Sequence, residues 1–555
     1  MFNLKSIYFY FLAIQIRLVK FFKKIYFSTN YYNNSLISKI PQQFYFQPNP
    51  FLLSILTSYK KYSFKINEID PNIFWIKPKN QEQQKELHNF LWLNLMDRKT
   101  DGKSLHKIIK LWMLKYSKYK RNVWESSVLS KRIVSWLLNA DIILNNGLFE
   151  FKKNFLLSII KQANHLKRNI KFEKNYNKRI EVLVALILTG LVFKEYEENY
   201  TLAIKELEKL VKDFFDDDGF PLTRSPSDLI FFVKYLIVSK ECIRDAQKYV
   251  PEFLDNIINQ NLICIQNLKG PNNQTPLFNG GIEEDLHHIQ KFIEDSTFKK
   301  KDKKNIIGGI QLMKFKNSVI YFDVGAPPKK IFSKSYQSGP LSFEYYLDDI
   351  KIVTNCGFGH NISTKAKLLS RLTSAQSTLT INDTSVNKFE RNKLVNKIFG
   401  NSIKNTFKIS NLEFKEDKEH IQTSVSHNGY EKSFGCTFKR KISITKSTNN
   451  LVGSDEIIKK RDGKPLSYSL RFHLYPGLTA IKTMGGNSVL IQITKNKSLV
   501  FTVKDENILL EKSIFLGGSK ILENTCITVT GNLVNKDKTI HWEIKKKFNN
   551  EKKNY

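Results

Sequence analysis

Cysteine is scarce in this chain and follows no pattern. The five residues Cys242, Cys264, Cys356, Cys436 and Cys526 are odd in number, widely spaced and contain no Cys-x-x-Cys pair. That excludes a disulfide framework and a thiolate zinc site, and leaves buried free thiols as the reading. No His-x-His string occurs either, so neither a metal nor another cofactor is expected. Long apolar runs are missing too: the stretch from Ile180 to Phe193 carries Glu181 and is too short to span a bilayer, which suits a buried helix. Acidic residues are in deficit, 52 against 88 Lys plus Arg, for a formal net charge of +36. Such an excess attracts acidic glycans, nucleic acid or anionic lipid within a Debye length of about 10 Å. The abundance of Lys, Asn, Ile and Phe is also what an AT-rich genome produces whatever the function, so charge alone selects no partner. No Lys/Arg block is focused enough for a nucleic-acid arm, and no zinc finger or RNA-binding sheet motif appears. Specific nucleic-acid binding is therefore not expected.

What is present is apolar and aromatic. With 41% hydrophobic residues and 13% aromatics in 555 residues, the chain can bury two or three cores. The segment from Met1 to Lys24 has a short apolar run, Ile7 to Ile14, broken by Gln15, Arg17 and Lys20, with no small-x-small cleavage pattern after it. Residues 4–27 read either as the first helix of the globular domain or as an amphipathic helix making peripheral membrane contact.

From about residue 83 to 268 apolar residues recur every three or four positions, in blocks at Gln83–Met96, Ser104–Tyr116, Trp124–Ile143, Phe149–Phe172, Lys178–Lys194, Tyr200–Phe215, Pro226–Ala246 and Pro251–Asn267. Short connections make neighbours antiparallel, an array of helix hairpins. After about residue 300 the period becomes two, and Asn428-Gly429, Asp462-Gly463 and Gly485-Gly486 mark turns. Strands are expected at 341–346, 350–354, 377–381, 436–444, 467–474, 489–494, 499–503, 526–530 and 539–544, and many strands without helices imply a sandwich. The expected order is an N-terminal extension (1–82), a helical domain (83–269), a linker (270–304), an antiparallel β-sandwich (305–548) and a disordered tail (549–555).

Four strings are more specific. Asp218-Gly-Phe-Pro-Leu-Thr-Arg-Ser-Pro-Ser227, Pro276-Leu-Phe-Asn-Gly280, Gly339-Pro-Leu-Ser-Phe-Glu344 with Val353-Thr-Asn-Cys-Gly357, and Arg371-Leu-Thr-Ser-Ala-Gln-Ser-Thr-Leu-Thr-Ile-Asn382 occur in that order. They resemble segments of the heparinase II/III-like polysaccharide lyases, and weaker similarity extends from about residue 120 to 545. The resemblance implies an incomplete α/α toroid followed by an antiparallel β-sandwich, an active cleft between them, an acidic polysaccharide as partner and a cell-envelope or periplasmic location. The missing export signal leaves the cytoplasm open.

Lyases of this kind work by β-elimination, in which a base takes the C5 proton of a uronic acid while donors hold its carboxylate. Matched position by position, the family's Asn-His pair falls on Asn177 and Lys178, its two sheet histidines on Gln337 and Gln376, and a catalytic tyrosine on Asp228. Glutamine can hydrogen-bond but cannot carry a proton near neutral pH. The resemblance therefore implies a metal-independent lyase with its chemistry partly replaced: Tyr336, Gln376 and Asn177 in catalytic places, and Arg224, Lys178, Asn279, Gln337 and Arg371 on the substrate. Asn177 reads alternatively as a helix cap, and Arg224 as a partner of Asp216, Asp217 or Asp218. A glycan-binding protein without turnover is the other reading. His287-His288 diverge on a helix and His473 reads as a satisfied sheet histidine.

Overall fold

The computed structural model describes residues 4–57, 81–96, 102–145, 147–296, 304–461, 464–534 and 536–547. The Asp462-Gly463 turn, the lysines at 299–301 and 303, the 549–555 tail and residues 58–80 of the N-terminal extension lie outside them. The chain forms two compact units. A helical unit comprises residues 1–219, 230–262 and 285–297; a strand-rich unit comprises 220–229, 263–284 and 298–555. Two short stretches within and after the helical array, 220–229 and 263–284, thus belong with the strands.

In the helical unit the central element is Tyr176–Val192, buried at every position from Ile180 to Val192. A helix apolar on all sides must be surrounded, and this one packs against Ser126–Leu138, Phe149–Asn169 and Glu197–Phe214. Where it crosses the last of these, Gly190 lets the chains meet: a Cβ there would fall 2.4 Å from the Tyr200 nitrogen. Backbone interruptions divide two of the expected blocks. Phe90, in the left-handed region at φ 59°, separates the helix Gln81–Asn89 from a 3-10 turn, and Asn139 ends Ser126–Leu138 by returning its amide to the Ser135 carbonyl at 2.9 Å. The fully buried Arg132 stacks on Trp112, gives Nε to Gln162 and Nη1 to the His88 and Val123 carbonyls, and keeps Nη2 buried without a hydrogen-bond partner.

The strand-rich unit opens with β1 (Ile306–Ile307), β2 (Ile310–Phe315), β3 (Ser318–Asp323), β4 (Phe343–Leu347), β5 (Ile350–Thr354) and β6 (Leu379–Ile381). It continues with β7 (Ile409–Glu416), β8 (His420–His427), β9 (Cys436–Thr445), β10 (Asn450–Lys459), β11 (Leu466–Leu474) and β12 (Thr479–Lys482). It closes with β13 (Ser488–Thr494), β14 (Lys497–Val503), β15 (Asn507–Phe515), β16 (Leu522–Leu533) and β17 (Lys538–Lys546). One sheet runs β1-β2-β3-β4-β5-β11-β16-β15 with β6 beside β11, and the other runs β12-β13-β14-β17-β10-β9-β8-β7. Every strand pair is antiparallel, so alternation sends one face of each sheet inward. Phe343, Phe472, Phe501 and Trp542 form the aromatic centre of the core between the sheets.

One buried ion pair ties the sheets together. Arg440 on β9 grips Asp455 on β10 at 2.6 and 3.1 Å and donates across to the Leu341 and Ser377 carbonyls. Asp455 takes a further bond from the Trp542 indole at 2.7 Å. Tyr345 and Tyr346 take opposite faces of β4, as alternation requires, but neither reaches solvent: Tyr345 joins the inter-sheet core and Tyr346 meets Tyr321 edge-on.

Candidate functional site

Arg224 lies in a turn between Phe220 and Leu229, with φ at 60°, a left-handed conformation that only strong surrounding contacts hold in a residue with a side chain. Those contacts are plain. Its five donors meet five acceptors: the Gly308 carbonyl at 2.9 Å, Gly325 at 3.1 Å, Ala326 at 3.0 Å, Gly309 at 3.2 Å, and the Asp323 carboxylate. Glycine is required around it, since a Cβ on Gly325 would fall 2.3 Å from a guanidinium nitrogen. Burial raises the Asp323 pKa, while Arg224 and the Gly325 N–H pull against that rise. The partner is thus Asp323, not the Asp216–Asp218 run, and in this arrangement no N–H of Arg224 remains for a ligand. Asp228 bonds the Thr223 hydroxyl at 2.7 Å.

Gln337 and Gln376 are brought together. Both donate to the Ser370 carbonyl, at 2.7 and 2.8 Å. The second N–H of Gln337 goes to the Gly357 carbonyl, and its oxygen accepts the Gly280 N–H, each at 2.9 Å. Asn279 and Gly280, both at positive φ, make the turn that aims this N–H. The Asn279 amide nitrogen is buried without a hydrogen-bond partner. The Cys356 thiol lies at the same junction, 3.7 Å from the Ser370 carbonyl, and burial pushes its pKa up to about 12. This thiol and these amides do not exchange protons near neutrality.

Tyr336, the residue before Gln337, is fully buried and its hydroxyl has no hydrogen-bond partner. Burial first, and then the Asp323 charge, raise its pKa, with Arg224 and Arg371 opposing. Its own carbonyl accepts from Arg371, which also bonds the Ser333 and Asn401 carbonyls and stacks on Phe389 at 4.0 Å. Arg371 therefore spends three of its nitrogens within the protein. Its positive charge stays local.

That charge matters for Lys367, on the short helix Thr364–Leu369. Burial lowers its pKa first, and then Arg371 and Lys334 lower it further. Among the described residues no carboxylate is recorded against it, and its ammonium instead faces the Phe358 ring at 5.9 Å. Phe358 in turn stacks on His360. Three cations and two rings, one ring exposed, so converge beside the glutamine pair. Neither Lys367 nor Lys334 is among the expected site residues. The signal available was the Lys365-Ala-Lys367 step just before Arg371, which in a sequence reads as an ordinary solvated face.

Asn177 and Lys178 belong to the helical unit. The cap of their helix is Asn175, whose side chain accepts the Lys178 N–H at 3.1 Å, so the capping role imagined for Asn177 falls two residues earlier. Lys178 extends to Glu125 at 2.5 Å, and Glu125 also holds Lys85. His473 is satisfied on both ring nitrogens by Ser513 and the Ser374 carbonyl, and burial lowers its pKa to about 4.

Residues 304–543 match the model of the heparinase II/III-like C-terminal domain. That part of the chain is a heparinase II/III-like C-terminal domain. Among solved structures, heparinase III superposes with a TM-score of 0.67 at 15% identity, covering 89% of this chain and 84% of its own. A heparan sulfate lyase HepC mutant from Pedobacter heparinus gives 0.61 at 15% identity, covering 90% and 82%. The heparinase fold, helical toroid followed by antiparallel β-sandwich, is therefore the fold of this protein. In sequence, the FtsZ-localized protein C of Caulobacter vibrioides is 22% identical over 429 residues, 74% of this chain and 72% of the relative.

Proposed function

We propose that this protein holds an acidic, uronic-acid glycan on its strand-rich unit, against Lys367, Lys334 and the exposed His360 ring, and does not cleave it. The observation that carries the reading is Lys367 itself. An ammonium crowded by two further cations and partly dehydrated is unfavourable in the free protein, and a bound carboxylate or sulfate relieves that cost. An acidic polysaccharide is also the kind of ligand named for the structural neighbours, a heparan sulfate lyase among them. Arg224, Arg371, Gln337 and Asn279 then act from behind the surface, fixing the turns that carry it, and Lys178 belongs to the helical unit's own ion network.

Loss of turnover follows from the amides. With Gln337 and Gln376 spent on backbone groups, neither can take the C5 proton. Metal-independent β-elimination would have to run through Tyr336, whose unpartnered hydroxyl is the one feature that favours it; Gln376 and Asn177 would then only orient the sugar. Incubation with heparan-type, alginate and capsular glycans decides between them. Retention of the glycan without ultraviolet absorbance from an unsaturated uronide is the expected result, and accumulation of that product would overturn the claim of no cleavage.

A second reading comes from the Caulobacter relative, which by its name is FtsZ-localized. On that reading the scaffold serves at a division site in the cytoplasm rather than in the envelope. Co-localisation with FtsZ that survives Lys367→Ala, together with no glycan retention, would select it.

A further inference from the structure

We infer that the helix α1 (Leu4–Phe27) lies flat on an anionic membrane surface, a role separate from glycan binding. One face of α1 is used by its own unit: Ala13 is buried, Phe27 packs on Tyr119 and His165, and the Lys23 ammonium covers the Phe172 ring at 3.1 Å. The opposite face carries Phe11, Ile14, Leu18, Phe21 and Ile25, spaced by three and four residues so that they form one stripe, with Phe22 beside it. Phe11, Leu18, Phe21, Phe22 and Ile25 remain 52–65% exposed. A soluble protein gains nothing from leaving so many large apolar groups in water along one line.

The charges choose the occupant. α1 contains no Asp or Glu, and Arg17, Lys20 and Lys24 stand exposed along its sides. The three-and-four spacing would also suit a second copy of the helix, but pairing two such helices would set cations against cations along the seam. A lipid surface bearing anionic headgroups accepts both features: the rings enter the acyl boundary and the lysines and arginine reach the phosphates. Among the described residues no helix is long and apolar enough to cross a membrane, so the stripe, about 21 Å from Phe11 to Ile25 at 1.5 Å per residue, lies along the surface.

Co-sedimentation of the full chain with phosphatidylglycerol-containing vesicles, and with phosphatidylcholine vesicles, tests this. Binding to the anionic vesicles at least about tenfold stronger than to the neutral ones is expected, with a loss of about tenfold or more in Leu18→Glu/Phe22→Glu. The pair Arg17→Gln/Lys24→Gln, which changes only exposed charges, should weaken anionic binding while leaving the thermal midpoint unchanged. Equal binding to both vesicle types, full binding by the folded variants, or no vesicle binding with a dimer that Leu18→Glu/Phe22→Glu dissolves, would each overturn the inference.

Discussion

At the scale of single residues, the arginines separate from the lysines. Arg224 and Arg371 look like ligand grips in a string of letters because a guanidinium matches a carboxylate, but their acceptors are carbonyls far away in sequence, 84 to 102 residues on in the case of Arg224. Nothing local reveals that. Removing Arg224 leaves Asp323 buried and unpaired, so Arg224→Ala should cost about 3–5 kcal/mol in urea unfolding; a cost under about 1 kcal/mol would show that the five bonds count for little. Lys367 behaves oppositely. Its charge is disfavoured in the folded state, so Lys367→Met should raise the thermal midpoint by roughly 1–3 °C while weakening acidic-glycan affinity about tenfold. A variant that is both less stable and equally retentive would make Lys367 an ordinary packing residue.

At the scale of elements, alternation and the helical period made most of the secondary structure legible. The strand expected at 350–354 matches β5, and those at 436–444 and 467–474 differ from β9 and β11 by one residue at an end. β7, β8, β10 and β15 lie outside the expected strands. β7, Ile409–Glu416, is an edge strand exposed along nearly all its length, so it lacks the buried face that writes alternation into a sequence. The glutamine positions were legible from the motif strings, but their meeting at the Ser370 carbonyl was not, because the turn after Thr364–Leu369 that delivers it has no signature of its own. The Arg440–Asp455 pair was also invisible: Arg440 lies in the expected strand 436–444, but Asp455 lies in β10, which is not among the expected strands. Asp455→Ala should destabilise the sandwich by about 3–5 kcal/mol, since Arg440 would keep its burial and lose its counter-charge. Urea unfolding followed by Trp542 fluorescence checks this, and an unchanged midpoint would contradict it.

At the scale of the whole molecule, buried histidines set the response to acid. Burial holds His88, His165 and His427 near 3 and His473 near 4, against 6.5 for the free side chain. The folded state therefore binds fewer protons than the unfolded one below neutrality. Stability from these groups is complete above about pH 6.5 and is lost progressively as the pH falls toward 3–4. The thermal midpoint should be level between about pH 8 and 7 and drop below about 6.5; a midpoint that rises on acidification would contradict the burial of these rings. The formal charge of +36 adds self-repulsion as the carboxylates protonate and works in the same direction.

One cationic surface, around Lys367, binds the glycan without cutting it. Calorimetric titration of a uronic-acid oligosaccharide into the full chain and into Lys367→Gln addresses it most directly. Saturable binding by the first, weakened about tenfold in the second with no change in sugar chain length, is the predicted result. Equal affinity for both proteins, or shortening of the oligosaccharide in the cell, would contradict it.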